Sequence, residues 1–329
     1  MNEKKIAIVI PVYNDWENLP PLFDRLERSL FGTCQEVSIF VVDDGSSADP
    51  GAFIQDCRRR SFTAISRIVQ ITLNRNMGHQ GAIVVGICHA LKQPGADCIV
   101  VMDGDGEDNP EDINVLLEMM DRTKRRALVF ASRRKRKESL FFRFMYSLFK
   151  ILHYFLTGQT MNFGNFSVIP REIAESLISF HELWNHYPAT AVNSKLPLVK
   201  VPCDRGQRSA GQSKMSVISL LLHGLGSIAV FAPIVGTRML IVFSEFTLLF
   251  FVGILCIFSI KFFTDLAIPG WATYTTGILG LLIFQSLSLS LLFIFFILNS
   301  KNPSQPMPKQ NYFLFIKGCE KIWDRDDNV

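Results

Sequence analysis

The feature that most constrains this chain is the stretch at residues 220–298, in which charged residues almost disappear and Leu, Ile and Phe dominate. Within it, residues 243–260 and 274–298 are each long enough as helices, at about 1.5 Å per residue, to cross a hydrocarbon core of about 30 Å. Charge is absent around the whole circumference of each predicted helix. This favours lipid over the alternative of two buried helices in a soluble protein. The pattern predicts two transmembrane helices within residues 236–300.

Glu245 is the exception within the first predicted span. With the span starting at residue 243, the carboxylate lies in the first helical turn, where it can reach the membrane interface or meet the positive end of the helix dipole. A role in proton relay is the alternative.

The segments outside the two spans predict how the chain is oriented. The first five residues are polar and run into a strand pattern without a signal peptide. Lysines follow the second span, whereas the loop between the spans carries one lysine against one aspartate. We therefore expect an integral protein of the cytoplasmic or inner membrane, with a catalytic domain at residues 1–215 and a tail at residues 301–329 both facing the cytoplasm.

Cysteine usage and net charge exclude several other classes of protein. The seven cysteines contain no C-x-x-C pair, which argues against a zinc site or a disulfide framework. The formal net charge of +4 is too slight to indicate a nucleic-acid partner.

The first two thirds of the chain alternate between short apolar runs and amphipathic helical patterns, as in parallel α/β domains. Strands are predicted at residues 6–12, 37–42, 68–73, 98–102 and 128–131, with the last of them closing the series. Helices are predicted at residues 19–30, 80–91 and 110–121. Ligands of such sheets bind at the carboxyl ends of the strands. Neither a G-x-G-x-x-G turn nor a Walker lysine motif is present, which argues against a dinucleotide dehydrogenase and a P-loop enzyme.

The strongest local signal is the acidic segment at residues 102–112, which follows the fourth predicted strand. In extended backbone, residues i and i+2 point the same way, so the carboxylates of Asp103 and Asp105 are expected to converge. Two like charges held together need a cation, and Mg²⁺ or Mn²⁺ takes oxygen ligands and leaves positions open for phosphates. A solvated turn is the alternative for so short a motif.

A second acidic site, residues 43–46, follows the second predicted strand. It is either an Asx-type turn or a carboxylate placed where a base or a ribose hydroxyl would bind.

Two basic segments complete the polar features. Residues 205–215 interleave glycines and serines with cations, which suits a mobile loop around phosphate oxygens or, alternatively, a juxtamembrane anchor. Residues 133–137 form a basic run that we interpret as electrostatic. After it, polar residues recur every three or four positions through residues 139–157, which predicts an interfacial amphipathic helix. A second juxtamembrane helix is predicted within residues 216–235.

With these features placed, nearly the whole chain resembles family 2 glycosyltransferases of GT-A fold. Within that family it resembles the polyprenyl-phosphate enzymes, which include dolichol-phosphate mannose synthase and the bactoprenol glucosyltransferases. The likeness rests on I-P-V-Y-N at residues 10–14, V-V-D-D-G-S at 41–46, N-R-N-M-G at 74–78, D-G-D at 103–105, S-R at 132–133, R-S-A-G-Q-S-K at 208–214, and the two closing spans. The resemblance implies a Rossmann-like, mostly parallel sheet, followed by interfacial helices and two transmembrane helices.

The resemblance also implies roles for individual positions. The nucleoside would be held by Pro11, Tyr13 and Asp44. The metal, Mg²⁺ or Mn²⁺, and the diphosphate would be bound by Asp103 and Asp105. The phosphates of donor or acceptor would be faced by Arg133, Arg208, Ser213 and Lys214. The residues expected to act directly in the reaction are Asp105, Arg133, Arg208 and Lys214.

Three positions depart from the family pattern. Glu107 replaces the usual Gln beside the metal; we count it as a third metal ligand, which makes the site more negative. Residues 162–167 replace a Gly-Phe-Arg pattern, and Tyr187-Pro188 lies where contacts with the sugar are expected. The six histidines form no ligand pattern and are interpreted as structural.

The implied reaction is inverting transfer of a hexose from a nucleotide sugar to polyprenyl phosphate. UDP is favoured over GDP as the donor nucleotide. A phosphate acceptor is already largely dianionic near neutral pH, so no strong general base is needed. The alternatives are transfer to another lipid or sugar hydroxyl, and a non-catalytic membrane scaffold with a degenerate transferase domain. Membrane lipids are expected partners, and self-association into a homo-oligomer is left open.

Overall fold

The computed structural model describes residues 4–34, 36–93, 95–133, 140–161, 163–204, 206, 217–264, 270–300 and 306–327. For residues 133, 140–146, 217–220 and 300 it describes the backbone alone. By its contacts the chain divides into two compact units. The first comprises Met1–Ser139, Met161–Val230 and Gln305–Val329, and the second comprises Leu140–Thr160 and Phe231–Ser304.

The first unit is built on an eight-stranded mixed sheet. In chain order its strands are β1 Lys5–Val12, β2 Glu36–Asp43, β3 Ile65–Leu73, β4 Cys98–Val101, β5 Leu128–Arg133, β6 Phe163–Pro170, β7 Leu198–Cys203 and β8 Ile316–Asp324. Their spatial order is β7-β5-β6-β4-β1-β2-β3-β8. Only β6 and β8 run antiparallel to their neighbours. The carboxyl ends of β1, β2, β3, β4, β5 and β7 therefore lie at one edge of the sheet.

The described helices lie between these strands, the last four of them between β7 and β8. They are α1 Leu19–Leu30, α2 Gly51–Arg59, α3 Gly78–Lys92, α4 Asp112–Arg122, α5 Leu140–Thr157, α6 Arg171–Leu177, α7 Tyr187–Asn193, α8 Val217–Ala229, α9 Ala232–Phe263, α10 Trp271–Ser300 and α11 Pro308–Asn311. Short 3-10 turns occur at Trp16–Asn18, His181–Trp184 and Tyr312–Phe315.

Helices cover both faces of the sheet, which explains why the central strands are apolar without interruption. Along β1, Ile6 and Ile8 belong to one buried cluster, and Ala7 and Val9 to the other. Helix α3 approaches β1 closely because it carries Gly86 at the contact. A Cβ there would come within 2.3 Å of a methyl carbon of Val9.

The predicted α/β alternation is confirmed, and all five predicted strands are present. The fifth predicted strand, however, is not the last strand of the sheet. Strands β6, β7 and β8 follow, and α2 was not predicted. The start of strand β6 was interpreted as part of a binding motif, and the short apolar run of β7 is interrupted by Lys200 and Pro202. Strand β8 lies at the sheet edge, where its exposed residues give no apolar run.

The segment assigned to a tail after the second span contributes β8, which pairs antiparallel with β3. Trp323 on this strand is buried against Phe62, with ring centroids 5.0 Å apart. The chain therefore leaves the sheet unit before α9 and re-enters it after α10.

The second unit contains an antiparallel pair of long helices, α9 and α10. Both are long and apolar enough to cross a membrane, and only 6% and 11% of their most apolar windows are buried. Contacts between them include a hydrogen bond of 2.6 Å between the hydroxyls of Thr247 and Ser286 and stacking of Phe243 on Phe293. Apolar surface so widely exposed fits helices that cross a membrane.

Glu245 does not lie in the first turn of its helix, because α9 begins at Ala232 and not near residue 243. It is exposed on the outside of the helix pair, more than three turns from the helix start. The prediction that it meets the helix N-terminus is wrong.

The two predicted interfacial segments form α5, in the second unit, and α8, in the first. Helix α5 exposes Ile151 and Phe155, and its last carbonyls accept hydrogen bonds from Arg238 of α9. Helix α8 exposes Leu221, Leu222 and Leu225.

Candidate active site at the carboxyl edge of the sheet

The D-x-D motif lies in a turn just beyond β4 and not in extended backbone. The strand ends at Val101, and the backbone amide of Asp103 donates to Oδ2 of Asp108 at 2.9 Å. Oδ1 of Asp105 accepts from the amide of Glu107 at 3.0 Å. The i, i+2 argument for converging carboxylates therefore does not apply here, because the strand stops before the first aspartate.

The carboxylates of this turn offer hard oxygen donors, the kind that Mg²⁺ and Mn²⁺ prefer. In the part of the chain that the structure describes, no three His, Cys, Asp or Glu side chains are grouped so as to hold a metal ion by themselves. Asp103, Asp105 and Glu107 thus do not form a ready-made set of three ligands. Such a turn can hold a cation together with the oxygens of a bound diphosphate.

His79 is a residue that the sequence analysis missed. It lies in the first turn of α3, and its Nε2 is 3.0 Å from Oδ1 of Asp103. Burial opposes protonation, but the nearby carboxylates, Asp103 first among them, outweigh it, so the pKa of His79 is raised above its ordinary value. Its position directly after the N-R-N-M-G motif was the available signal.

The second acidic site forms the turn that one interpretation expected, whereas binding of a base or a ribose hydroxyl there stays a prediction. Oδ1 of Asp43 accepts from the amide of Ser46 at 2.8 Å, which closes an Asx-type turn. Asp44 is 3% exposed, and its Oδ1 accepts from the amide of Met77 at 2.6 Å. Burial raises the pKa of Asp44 to about 6, although hydrogen bonds from the amides of Met77 and Gly78 lower it. Asp44 therefore fixes the loop that leads to His79.

The residues after β1 form the next part of the same edge. Pro11 is buried in the strand, whereas the ring of Tyr13 is 48% exposed. Asn14 has a positive φ of 54°, and its Oδ1 accepts from the amides of Ser47 and Ala48 at 2.9 and 2.8 Å. These contacts join the turns after β1 and β2 and leave the Tyr13 ring available for stacking.

The start of the basic loop lies on the acidic turn. The amide of Gly206 donates to the carbonyl of Glu107 at 2.8 Å, and Nδ2 of Asn109 donates to the carbonyl of Asp204 at 2.8 Å. A Cβ at Gly206 would come within 2.5 Å of Oδ1 of Asn109, so the contact requires glycine. Asn109 also accepts from Arg25 at 3.0 Å and does not cap α4 through its side chain.

Of the four residues predicted to face the phosphates, the structure describes one, and of that one only the backbone. Arg133 ends β5 at the same carboxyl edge, with only its backbone described. Arg208, Ser213 and Lys214 lie outside the described residues.

Tyr187 does not face the sugar site, because it is fully buried and its hydroxyl lies 2.6 Å from Oγ of Ser167. Burial raises the pKa of its hydroxyl further above the ordinary value. Pro188 is buried as well. The expectation of sugar contacts at these two positions is wrong. From residues 162–167, the structure instead brings Asn165 next to His79.

This sheet, with an acidic turn beyond β4 and a second polar loop beyond β2, has a GT-A-like architecture. The model of glycosyl transferase family 2 matches residues 7–178, more than half of the chain, and the protein belongs to that family.

Curated relatives and solved structures agree with this assignment. Over 222 residues the chain is 29% identical to the undecaprenyl-phosphate 4-deoxy-4-formamido-L-arabinose transferase of Klebsiella pneumoniae strain 342; the match covers 66% of this chain and 64% of the relative. The protein of that name from Klebsiella pneumoniae subsp. pneumoniae is 28% identical over the same shares. The chain thus spans less than two thirds of these relatives.

Glucosyl-3-phosphoglycerate synthase from Mycobacterium tuberculosis, solved with Mn²⁺, UDP-glucose and phosphoglyceric acid, superposes with a TM-score of 0.51 at 17% identity. The superposition covers 71% of this chain and 80% of that one. At this identity the likeness shows the fold.

Proposed function

We propose that this protein is an inverting glycosyltransferase that moves a sugar, a hexose in the first instance, from a nucleoside-diphosphate sugar to a polyprenyl phosphate. The observation that carries the proposal is the contact of Gly206 with Glu107, because it starts the cationic loop at the D-x-D turn. The phosphates of donor and acceptor would meet there. The curated relatives support this acceptor class, since their names specify undecaprenyl phosphate.

Asp103 and Asp105 would hold a divalent cation, Mg²⁺ or Mn²⁺, against the diphosphate. The hard oxygen donors of the turn fit such an ion, and the structural neighbour was solved with Mn²⁺. When bound, the ion supplies positive charge that stabilises the departing diphosphate. Glu107 contributes negative charge beside the turn through its side chain and accepts the Gly206 amide through its carbonyl.

The protein's own residues account for the other requirements of the reaction. Tyr13 offers an exposed ring on which a base can stack. Asp44 fixes the neighbouring loop by accepting a hydrogen bond from the backbone amide of Met77. Arg133, Arg208 and Lys214 would neutralise phosphate charge, and the hydroxyl of Ser213 would donate a hydrogen bond to a phosphate oxygen. In-line attack by an acceptor phosphate oxygen on the anomeric carbon forms the new C–O bond and breaks the bond to the diphosphate. The configuration at that carbon is thereby inverted.

We further propose that the sheet unit faces the cytoplasm and that the donor is a UDP-sugar in preference to a GDP-sugar. The lysines after the second span support that orientation. The exposed leucines of α8 and the exposed apolar face of α5 fit the membrane interface, where a prenyl chain is delivered.

The test is transfer of label from a panel of UDP- and GDP-sugars to polyprenyl phosphate by the full chain in detergent. The panel includes a 4-deoxy-4-formamido-arabinose donor, and each reaction is run with Mg²⁺, with Mn²⁺ and with EDTA. We expect an organic-extractable product from one donor, abolished by EDTA. Transfer to a sugar or glycerolipid hydroxyl in place of the phosphate would overturn the acceptor class. Folded protein that transfers nothing would favour the scaffold alternative.

A further inference from the structure

The side chain of Asn109 contacts the start of the basic loop at two points. Its Nδ2 donates to the carbonyl of Asp204 at 2.8 Å, and its Oδ1 lies against Gly206, where an added Cβ would come within 2.5 Å of it. The amide of Gly206 donates to the carbonyl of Glu107 at 2.8 Å. The residues on either side of Arg205 are therefore both attached to the acidic segment that contains the D-x-D turn.

Arg25 on α1 sets the orientation of the Asn109 side chain. Its Nη2 donates to Oδ1 of Asn109 at 3.0 Å and to Oε2 of Glu111 at 2.6 Å, and its Nε donates to Oε1 of Glu111 at 3.3 Å. A guanidinium group can only donate, and a backbone carbonyl can only accept. The oxygen of Asn109 must therefore face Arg25, and its amino group must face the carbonyl of Asp204. The reversed amide would set donor against donor and acceptor against acceptor.

The support for this side chain is rigid, whereas the loop that it contacts is not constrained by its own sequence. Helix α1 is packed into the core through Leu22 and Leu26, which are both buried. Pro110, also buried, lies between the two residues that Arg25 contacts and restricts the backbone there. Glycines and serines make the basic loop costly to order. Fixing its first residues beforehand lowers the cost of ordering it around phosphates.

We propose that Asn109 is a positioning residue for the basic loop. Oriented by Arg25, it holds the start of the loop at the D-x-D turn, so that the cations of the loop meet the phosphates bound there. One side chain thereby links α1, the acidic segment and the loop. The inference rests on the proposed function, since it takes the loop to bind the phosphates of donor or acceptor.

Trypsin cleavage between Arg205 and Gly206 tests this inference in the full chain in detergent, with the products measured by mass spectrometry. A peptide bond attached on both sides must be released before trypsin can cut it, so the initial rate reports the population of the released loop. We expect Asn109→Ala to raise this rate about five- to tenfold, because it removes one of the attaching hydrogen bonds. An unchanged rate would overturn the inference.

Asn114 on α4 offers a matched control. Its Nδ2 also donates to a backbone carbonyl at 2.8 Å, but that carbonyl belongs to Ser29 on α1 and not to the basic loop. Asn114→Ala should lower the thermal midpoint and leave the rate of loop cleavage unchanged. Equal increases in cleavage for Asn114→Ala and Asn109→Ala would indicate general loosening of the fold and would overturn the inference.

Asn109→Asp separates the two bonds of the Asn109 side chain. It keeps an oxygen for Arg25 but loses the donor to the carbonyl of Asp204, so we expect it to raise the cleavage rate as Asn109→Ala does. This variant carries the test if Asn109→Ala does not fold. Cleavage of Asn109→Asp at the wild-type rate would overturn the inference.

A double-mutant cycle tests the orienting role of Arg25. Because Arg25 acts through Asn109, we expect Arg25→Ala to raise the cleavage rate by less than Asn109→Ala. The double variant should be cleaved no faster than Asn109→Ala alone. Additive increases would overturn the role of Arg25.

Sugar transfer distinguishes this inference from the proposed function. With an active wild type, Asn109→Ala should lose transfer by about tenfold at saturating donor, and Asn114→Ala should keep it. Faster cleavage of Asn109→Ala without loss of transfer would overturn the positioning role. A wild type that transfers nothing would overturn the proposed function and the role in phosphate binding with it, whereas the cleavage rates would still decide whether Asn109 holds the loop.

Discussion

At the scale of single residues, the two aspartates of the D-x-D turn have different surroundings. Asp103 has His79 beside it, and Asp105 accepts from the Glu107 amide. The oxygen of an asparagine can accept that same bond, so Asp105→Asn should preserve the turn while removing the charge. We expect transfer to fall by about a hundredfold or more, with the thermal midpoint unchanged.

The measurement is label transfer beside a thermal melt of the same detergent sample. Asp121→Asn, at the far end of α4, is the matched control and should keep its activity. Full transfer by Asp105→Asn would remove that residue from the site.

The raised pKa of Asp44 predicts that the stability of the folded protein depends on pH. Its pKa is about 6 in the folded protein, against 3.8 for the unfolded chain, so the folded state binds the proton more tightly. The carboxylate therefore destabilises the fold increasingly as pH rises from about 4 to about 6. From the difference in pKa, the penalty above that window is about 3 kcal/mol.

We expect Asp44→Asn to stabilise the protein relative to wild type at pH 7.5 and to lose that advantage by pH 4.5. Thermal midpoints of both proteins across this range measure it. A difference that does not change with pH, or that grows towards acid, would contradict the assignment.

At the scale of elements, the contact of the basic loop with the acidic turn depends on Gly206. A Cβ there would also lie 2.8 Å from the carbonyl of Gly106, so Gly206→Ala must move the loop away from the turn. A displacement of about 1 Å near a reacting centre can cost about a hundredfold in rate, and we expect a loss of that order.

The measurement is turnover at saturating donor, with a thermal melt to show that the fold persists. Gly318→Ala is the matched control, because a Cβ there has nothing within 4 Å. Equal activities of the two variants would show that the loop does not depend on this contact.

Strand β8 covers the outer edge of β3 and should stabilise the sheet unit. Trp323 is 5% exposed, and the backbone carbonyls of Ala64 and Ile65 accept from Arg325 at 3.3 and 3.2 Å. Trp323→Ala should cost about 3 to 5 kcal/mol, because it empties a packed site against Phe62.

A fall in thermal midpoint and in the monodisperse fraction on size-exclusion chromatography would show this cost. Lys317→Ala, at an exposed position of the same strand, should leave both unchanged. A Trp323→Ala variant as stable as wild type would mean that β8 contributes little.

At the scale of the whole molecule, both ends of the α9–α10 pair connect to the sheet unit. Two crossings would bring the chain back to the side from which it left. Cys319 on β8 is exposed, and Thr264 is exposed at the end of α9. A membrane-impermeant maleimide should therefore label Cys319 only in inverted vesicles.

A Thr264→Cys variant should show the opposite pattern and label only in right-side-out vesicles. Labelling of both positions from one face would contradict two crossings, and the reverse pattern would place the sheet unit outside the cytoplasm.

The sequence by itself determined the features that arise from neighbouring residues. Apolar runs of about 20 residues, alternation of strand and helix patterns, and the order of short motifs are local, so they predicted the two long helices, the first five strands and the presence of an acidic segment after the fourth strand. Helix α1 was predicted with its observed bounds, because its apolar spacing is strongly periodic.

Only the tertiary structure decided which distant residues meet. Asn165 and His79 are 86 positions apart, and Arg67 and Asp324 on the paired strands β3 and β8 are 257 apart. Such contacts depend on the order and register of the strands, and the sequence pattern of one segment does not indicate which distant segment it will contact. The turn after β4, the burial of Tyr187 and the return of the chain to the sheet after α10 were decided in this way. Where a strand stops and what covers an edge depend on packing that no single segment encodes.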